Sequence, residues 1–372
     1  MKKYIYISLL CSVISIIPIF GQDYQYQSTT VQTPKSVTVD AYQFMYWTYN
    51  DYTAPEIDAW NYYWTSGYNC RILANSTKYY NCHGYAWYNI EGRMSQSTMR
   101  WINDVDQYGN PIYNVTKYYT GTNKSYTETA TITNHLRVSY FPRDHSAVTT
   151  ENQDSVISKW ANGPLVKHTL AQCPFYNNAV IKYYRLYPEI DGSTEALCAN
   201  QERTFTSTTT IPTSTYTWTK DDSRLDLVSG AGTPSFRVKA KNTSGNAWVN
   251  LQITTPSGEV ATIPYKYFWI GIFANNVVTG QAAVCPNSIY TYTAQVPGGH
   301  YPSYSYSWTY PANWMYPYQY QNTIRLQTPM YPYYGTVRVS ITNACGTSAY
   351  SGITVYPGYG CGGYYTIYPN PA

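Results

Sequence analysis

Between residues 195 and 357 the chain runs through one pattern twice. The first copy carries Cys198, then Tyr216-Thr-Trp218-Thr219, then Val249-Asn-Leu251-Gln-Ile253-Thr254. The second carries Cys285, then Tyr306-Ser-Trp308-Thr309, then Val337-Arg-Val339-Ser-Ile341-Thr342. Apolar and polar residues alternate, and Gly and Pro punctuate the runs every eight to twelve residues or so, which describes short half-buried strands. A cysteine, a tryptophan on a central strand and a late strand running toward a second cysteine make each copy a two-sheet sandwich. The bland role for Trp218 and Trp308, core packing, is the expected one.

At 372 residues the chain holds two to four domains. Tyr contributes 46 positions and Trp 11, while charged residues make up 12%, a composition that favours strands. The net charge is +4, and loss of Lys2 and Lys3 with a leader leaves no basic footprint for nucleic acid. Residues 1–21 have the layout of a secretory signal, with Lys2 and Lys3 at the start, an uncharged run from Tyr4 to Phe20 and cleavage expected between Gly21 and Gln22. The run is short for a membrane span and is broken by Ser and Pro. No transmembrane span is expected after cleavage, and the expected location is secreted or cell surface. Cys11 leaves with the leader. Cys70, Cys82, Cys173, Cys198, Cys285, Cys345 and Cys361 remain, an odd number that leaves at least one thiol unpaired within a monomer.

The "YxWT" and "NACGTS" stretches of the repeats resemble the PKD/Ig-like modules of exported Bacteroidetes-type proteins. Setting Val249 against Val337 places Ser257 opposite Cys345, so a Cys285–Cys345 bridge is expected in the second module and none in the first. The closing "IYPNPA" resembles the opening of the C-terminal sorting domain of type IX secretion substrates. The expected division is a signal peptide at 1–21, a Cys/His-bearing domain at 38–190, modules at 195–272 and 275–357, and a linker with the start of a sorting domain at 358–372.

Chemistry concentrates in residues 38–190, which hold His83, His135, His145 and His168. In Tyr79-Tyr-Asn81-Cys82-His83-Gly84-Tyr85-Ala86-Trp87, Asn81 is a good N-cap. Cys82 then falls in a first helical turn, where the dipole and free N–H groups favour thiolate, the form that attacks. Gly84 permits a close approach. Downstream, His145–Thr150 and Ser155–Trp160 flank the polar turn Glu151-Asn-Gln-Asp154 and read as a β-hairpin. That turn sets Ala147 opposite Ser158 and His145 opposite Trp160, so His145, Ser158 and Trp160 share a face. A slip of one residue would exchange Ser158 for Lys159. Cys82 is alternatively bridged to Cys70 or Cys173, His83 and His168 are more simply structural, and no metal-ligand spacing is present.

"NCHGYAW", "DHSAV" and "SKWANGPLVKH" resemble exported NlpC/P60- or CHAP-like cysteine amidases over residues 65–187. The resemblance implies an α+β papain-like N-terminal domain followed by two all-β Ig-like sandwich modules. It also implies Cys82 as nucleophile, His145 as general base and an oxyanion hole at the start of the Cys82 helix. Ser158 falls closest to the third position, where the family has His, Asn or Gln. No cofactor is implied. The expected function is hydrolysis of amide bonds in a peptide or peptidoglycan substrate. The alternative is a non-enzymatic adhesion or glycan-binding protein with a degenerate papain-like domain, its Tyr-rich stretches 304–320 and 331–334 meeting cell-surface glycan.

Overall fold

The computed structural model describes residues 25–104, 110–141, 144–152, 154–274, 277–296, 298–358 and 361. The expected signal peptide and the "IYPNPA" tail lie outside the described residues.

The N-terminal part opens with a hairpin of β1 (Tyr26–Gln32) and β2 (Thr38–Phe44). Helix α1 (Ala54–Tyr68) follows, begun by a Thr53–Glu56 capping box and by Pro55 in its first turn. After β3 (Arg71–Ala74) comes α2 (Cys82–Gly84), which runs directly into a π-turn at Tyr85–Asn89. Then come β4 (Tyr126–Glu128), β5 (Arg137–Phe141), β6 (Ser146–Thr149), β7 (Ser155–Lys159), β8 (Leu165–Thr169) and β9 (Val180–Leu186). Strands β3 to β9 form one antiparallel sheet in the order β3-β8-β7-β6-β5-β9-β4. This part is mostly β with few helices, and the helical run expected from Cys82 amounts to α2 and the π-turn.

Strand alternation gives the sheet two different faces. Val138, Ala147, Val156 and Val166 pack with Trp64 of α1, Trp160, Cys70 and Cys173. The alternate residues Val148 and Leu165, with Tyr184 and Leu186 of β9, pack with Tyr85, Ala86 and Trp87. That second core continues without a break into the first sandwich through Phe205, Trp218, Val249, Leu251 and Phe268.

Each repeat folds as two packed sheets. The first joins strands Ile190–Asp191, Glu202–Ser207, Ser235–Ala240 and Leu225–Ser229 against Thr215–Lys220, Gly245–Thr254, Val260–Thr262 and Lys266–Ile270. The second joins Val277–Thr279, Ile289–Gln295, Thr323–Gln327 and Met315–Tyr320 against Ala283–Val284, Ser351–Pro357, Gly335–Asn343 and Ser305–Thr309. The repeated blocks hold the same station in both: Trp218 pairs with Leu251, and Trp308 with Val339. Trp218 is buried and stacks on Phe236 at 4.9 Å, and Trp308 packs half-buried against its own core.

The expected Cys285–Cys345 bridge is not formed. Cys345 bonds Cys198, and Cys285 bonds Cys361. The short strand Ala283–Val284 runs parallel to Tyr356–Pro357, which delivers Cys285 to the end of the last strand. Cys345, in the tight turn after Asn343, instead faces the junction between modules. There Asn343 Nδ2 donates to Gly271 O, and Leu197 bridges to Ile270. The Cys198–Cys345 bond therefore staples one module to the next across a sequence separation of 147. Replacing both cysteines by Ser should cost about 2–4 kcal/mol, read as a lower urea midpoint. An unchanged midpoint would show that the module junction holds without the bond.

Candidate functional site around Cys82

The approach to Cys82 is pinned from several directions. Asp51 accepts from Thr77 Oγ1 at 2.5 Å and from Lys78 N at 2.9 Å. Asn81 caps α2, its Oδ1 accepting from Gly84 N at 2.8 Å, and the same amide exchanges hydrogen bonds with the backbone of Ile102. Gly84 is required here, since a Cβ would sit 2.0 Å from Arg100 O. Cys82, buried and without a disulfide, is the first residue of this anchored turn. Cys70 and Cys173 are also free and buried.

His83 enters the same site. Its Nδ1 meets Ser146 Oγ at 2.8 Å and its Nε2 meets Asp144 Oδ1 at 2.5 Å. Trp87 Nε1 donates to the same Ser146 hydroxyl at 2.9 Å. Burial alone would drive the His83 proton off, but the neighbouring Cys82 and the Asp144 carboxylate, with their hydrogen bonds, outweigh it. The imidazole is held well above its usual range, hence charged near neutral pH. Asp144, whose side chain is 45% exposed, is in turn held below the usual carboxylate range: partial loss of water opposes this, but the His83 charge and hydrogen bond outweigh it.

The β6–β7 register agrees with the turn-based expectation, Val148 lying opposite Ile157. His145 accordingly stacks on Trp160 at 4.0 Å, and Trp160 on Trp64 at 4.9 Å. His145 is 2% exposed, and its Nε2 has no hydrogen-bond partner. Burial, then repulsion from His168 and His83, pushes its pKa well below the usual histidine range, so it is neutral. Among the described residues no hydrogen bond joins His145 to Cys82.

Ser158 does not orient His145. Its hydroxyl meets His168 Nε2 at 2.7 Å, and His168 Nδ1 meets Thr169 O. The reason is cross-strand pairing: Ser158 stands opposite Val166, two residues from His168 on the neighbouring strand. Lys159, the alternate residue, turns to the other face. It is fully buried, and its ammonium donates to the carbonyls of Thr77 at 3.1 Å, Ala161 at 2.9 Å and Gly163, and lies 5.1 Å from the Tyr80 ring centre. Sequence reasoning missed Asp144, Ser146 and Lys159. Ser146, at the start of β6, is marked by its alternation with Ala147, whereas Asp144 precedes the strand and Lys159 enters only through a one-residue slip.

The chain offers a second kind of surface. In the second sandwich Tyr304 and Tyr306 are core residues, but Tyr316, Tyr318, Tyr331 and Tyr334 are 64–74% exposed. Tyr316 and Tyr318 lie on the edge strand Met315–Tyr320, where Pro317 and a register shift discourage pairing with another chain.

Residues 273–355 match the family model of a PKD-like domain. No curated protein matches the chain in sequence. Solved structures similar to parts of it include the complex of the mouse coronavirus receptor-binding domain with its murine receptor (11% identity, 45% of this chain and 100% of that one, TM-score 0.21). Others are the fibronectin(III)-like modules of Clostridium thermocellum CbhA (11%, 45% and 94%, TM-score 0.20) and the Ig1-2 module of Drosophila receptor protein tyrosine phosphatase DLAR (11%, 46% and 99%, TM-score 0.18). The two disulfides and the PKD-like match at 273–355 suit an extracellular protein. Among the described residues no helix is long and apolar enough to cross a membrane, and no group of three or more His, Cys, Asp or Glu could hold a metal ion.

Proposed function

We propose that this is an exported cell-surface protein whose N-terminal papain-like domain hydrolyses amide bonds, in peptides or peptidoglycan stem peptides, through Cys82. The two sandwich modules act as its spacer and anchor. The observation that carries the reading is the unbridged Cys82 at the start of a capped turn, electrostatically coupled to the charged His83–Asp144 pair. The pair stabilises negative charge on Cys82 sulfur, which attacks the amide carbon. His145, neutral and with an open Nε2, takes the Cys82 thiol proton as the sulfur attacks and passes it to the leaving amine. The reading requires His145 to come within hydrogen-bond reach of Cys82 in the substrate complex, where catalytic hydrogen bonds commonly tighten. Water then attacks the thioester carbon, releases the carboxylic acid and returns the thiol.

A specific observation favours a second reading. Cys82 is only 6% exposed, whereas the tyrosines of the second sandwich offer open aromatic faces, which suits a non-enzymatic glycan-binding or adhesion protein. Brief iodoacetamide treatment of the native protein at about pH 7.5, followed by peptide mapping, separates the two. Burial pushes the Cys70 thiol up to about 11 and the Cys173 thiol up to about 12, so both should label slowly. Cys82 should label well ahead of them. If it labels no faster than they do, the hydrolase reading fails and the binding reading stands.

A further inference from the structure

A lysine with no exposed surface is an expensive residue, and chains keep one buried only when its charge has partners. Lys159 ends β7, directly after Ser158. Its three carbonyl acceptors come from two places. Ala161 and Gly163 belong to the turn between β7 and β8, while Thr77 belongs to the segment that leads into Cys82. The ammonium also lies over Tyr80, two residues before the thiol. Thr77 is gripped at the same time by Asp51. The entry to α2 is thus clamped between the loop before α1 and the end of β7.

We propose that Lys159 is a positioning residue for Cys82: it ties the 77–80 segment to the β7–β8 turn and places a positive charge beside the segment that carries the thiol. The inference rests on the reading of Cys82 as a functional nucleophile. A mobile entry segment would let the sulfur leave the place where attack geometry is set, and a low-dielectric surrounding makes a single opposite charge effective. The charged groups that face the ammonium are Asp51 and Cys82, with His83 and Asp144 beyond Cys82. Burial pushes Lys159 down to about 7, against the opposing pull of Asp51 and Cys82. The charge is therefore half present near pH 7, nearly complete a pH unit below and largely lost a pH unit above, so its influence is greatest on the acid side of neutrality.

The test needs no substrate. In Lys159→Met, alkylation of Cys82 by iodoacetamide at pH 6.5 should fall roughly tenfold, because the entry segment loses both its tether at Thr77 and the neighbouring cation. Lys159→Gln, which removes the charge but keeps an N–H donor on a shorter side chain, separates the charge from the tether and serves also if the Met variant does not fold. It too should label more slowly, and most markedly below pH 7. A purely structural lysine would lower the unfolding midpoint of these variants and leave the alkylation profile of the folded protein unmoved. That result, in either folded variant, overturns the inference. Wild-type Cys82 that resists alkylation altogether sinks the hydrolase reading instead, so the two failures are distinct.

Discussion

Cys82→Ala should reduce amide hydrolysis by roughly 10³–10⁶-fold, the range expected when a covalent nucleophile is removed while the rest of the site remains. The assay is turnover of short peptides and of peptidoglycan stem peptides by the full chain, with product amine quantified. The fold should survive. Asn81 Oδ1 still caps Gly84 N, the amide still binds Ile102, and His83 keeps Asp144 and Ser146. Only a sulfur leaves, and a small cavity costs little. Ser158→Ala makes the contrast. Its hydroxyl serves His168, so its loss should cost about 1–2 kcal/mol of stability and leave turnover within a fewfold of wild type. A Cys82→Ala protein that hydrolyses as well as wild type would remove Cys82 from the chemistry.

Local pattern carried much of this structure. The polar stretch between Thr150 and Ser155 predicts the β6–β7 register that is found, and Asn81 caps the turn that begins at Cys82. Period-two alternation in the repeats gave two sandwiches with their tryptophans on equivalent strands. What failed was of another kind. Aligning the repeats assumed that each module keeps its cysteines to itself, whereas Cys345 is placed by packing between modules, through Asn343 and Gly271. Such a contact has no sequence period. Ser158 was linked to His145 because the two share a face, but a shared face does not say which neighbour a hydroxyl will bond, and His168 on the next strand was nearer. Lys159 was legible only as the result of a register slip, since a buried lysine contradicts the expectation that charge stays outside.

Arg137→Ala should destabilise the N-terminal part and the first sandwich together, by about 3–5 kcal/mol. Arg137 lies on β5 with no exposed surface, and it meets Glu91, which follows the π-turn after Cys82, and Glu259 from the first sandwich at 3.6 Å. Glu91 also accepts from Ser257 Oγ at 3.1 Å, and Glu259 accepts from Leu186 N at 2.5 Å. One cation thus balances two buried carboxylates that come from opposite sides of a module boundary. Removing it leaves both uncompensated in a continuous core, where an unpaired charge costs far more than an absent pair. Urea unfolding followed by tryptophan fluorescence should show a lower midpoint. The triple variant Arg137→Met, Glu91→Gln, Glu259→Gln discharges the whole group and should recover most of the loss, because its expense lies in the stranded carboxylates. Should the single variant lose less than about 1 kcal/mol, or the triple variant recover nothing, the ionic cluster is not what joins the two parts, and the shared apolar core through Leu186, Tyr184 and Ile253 would have to hold them alone.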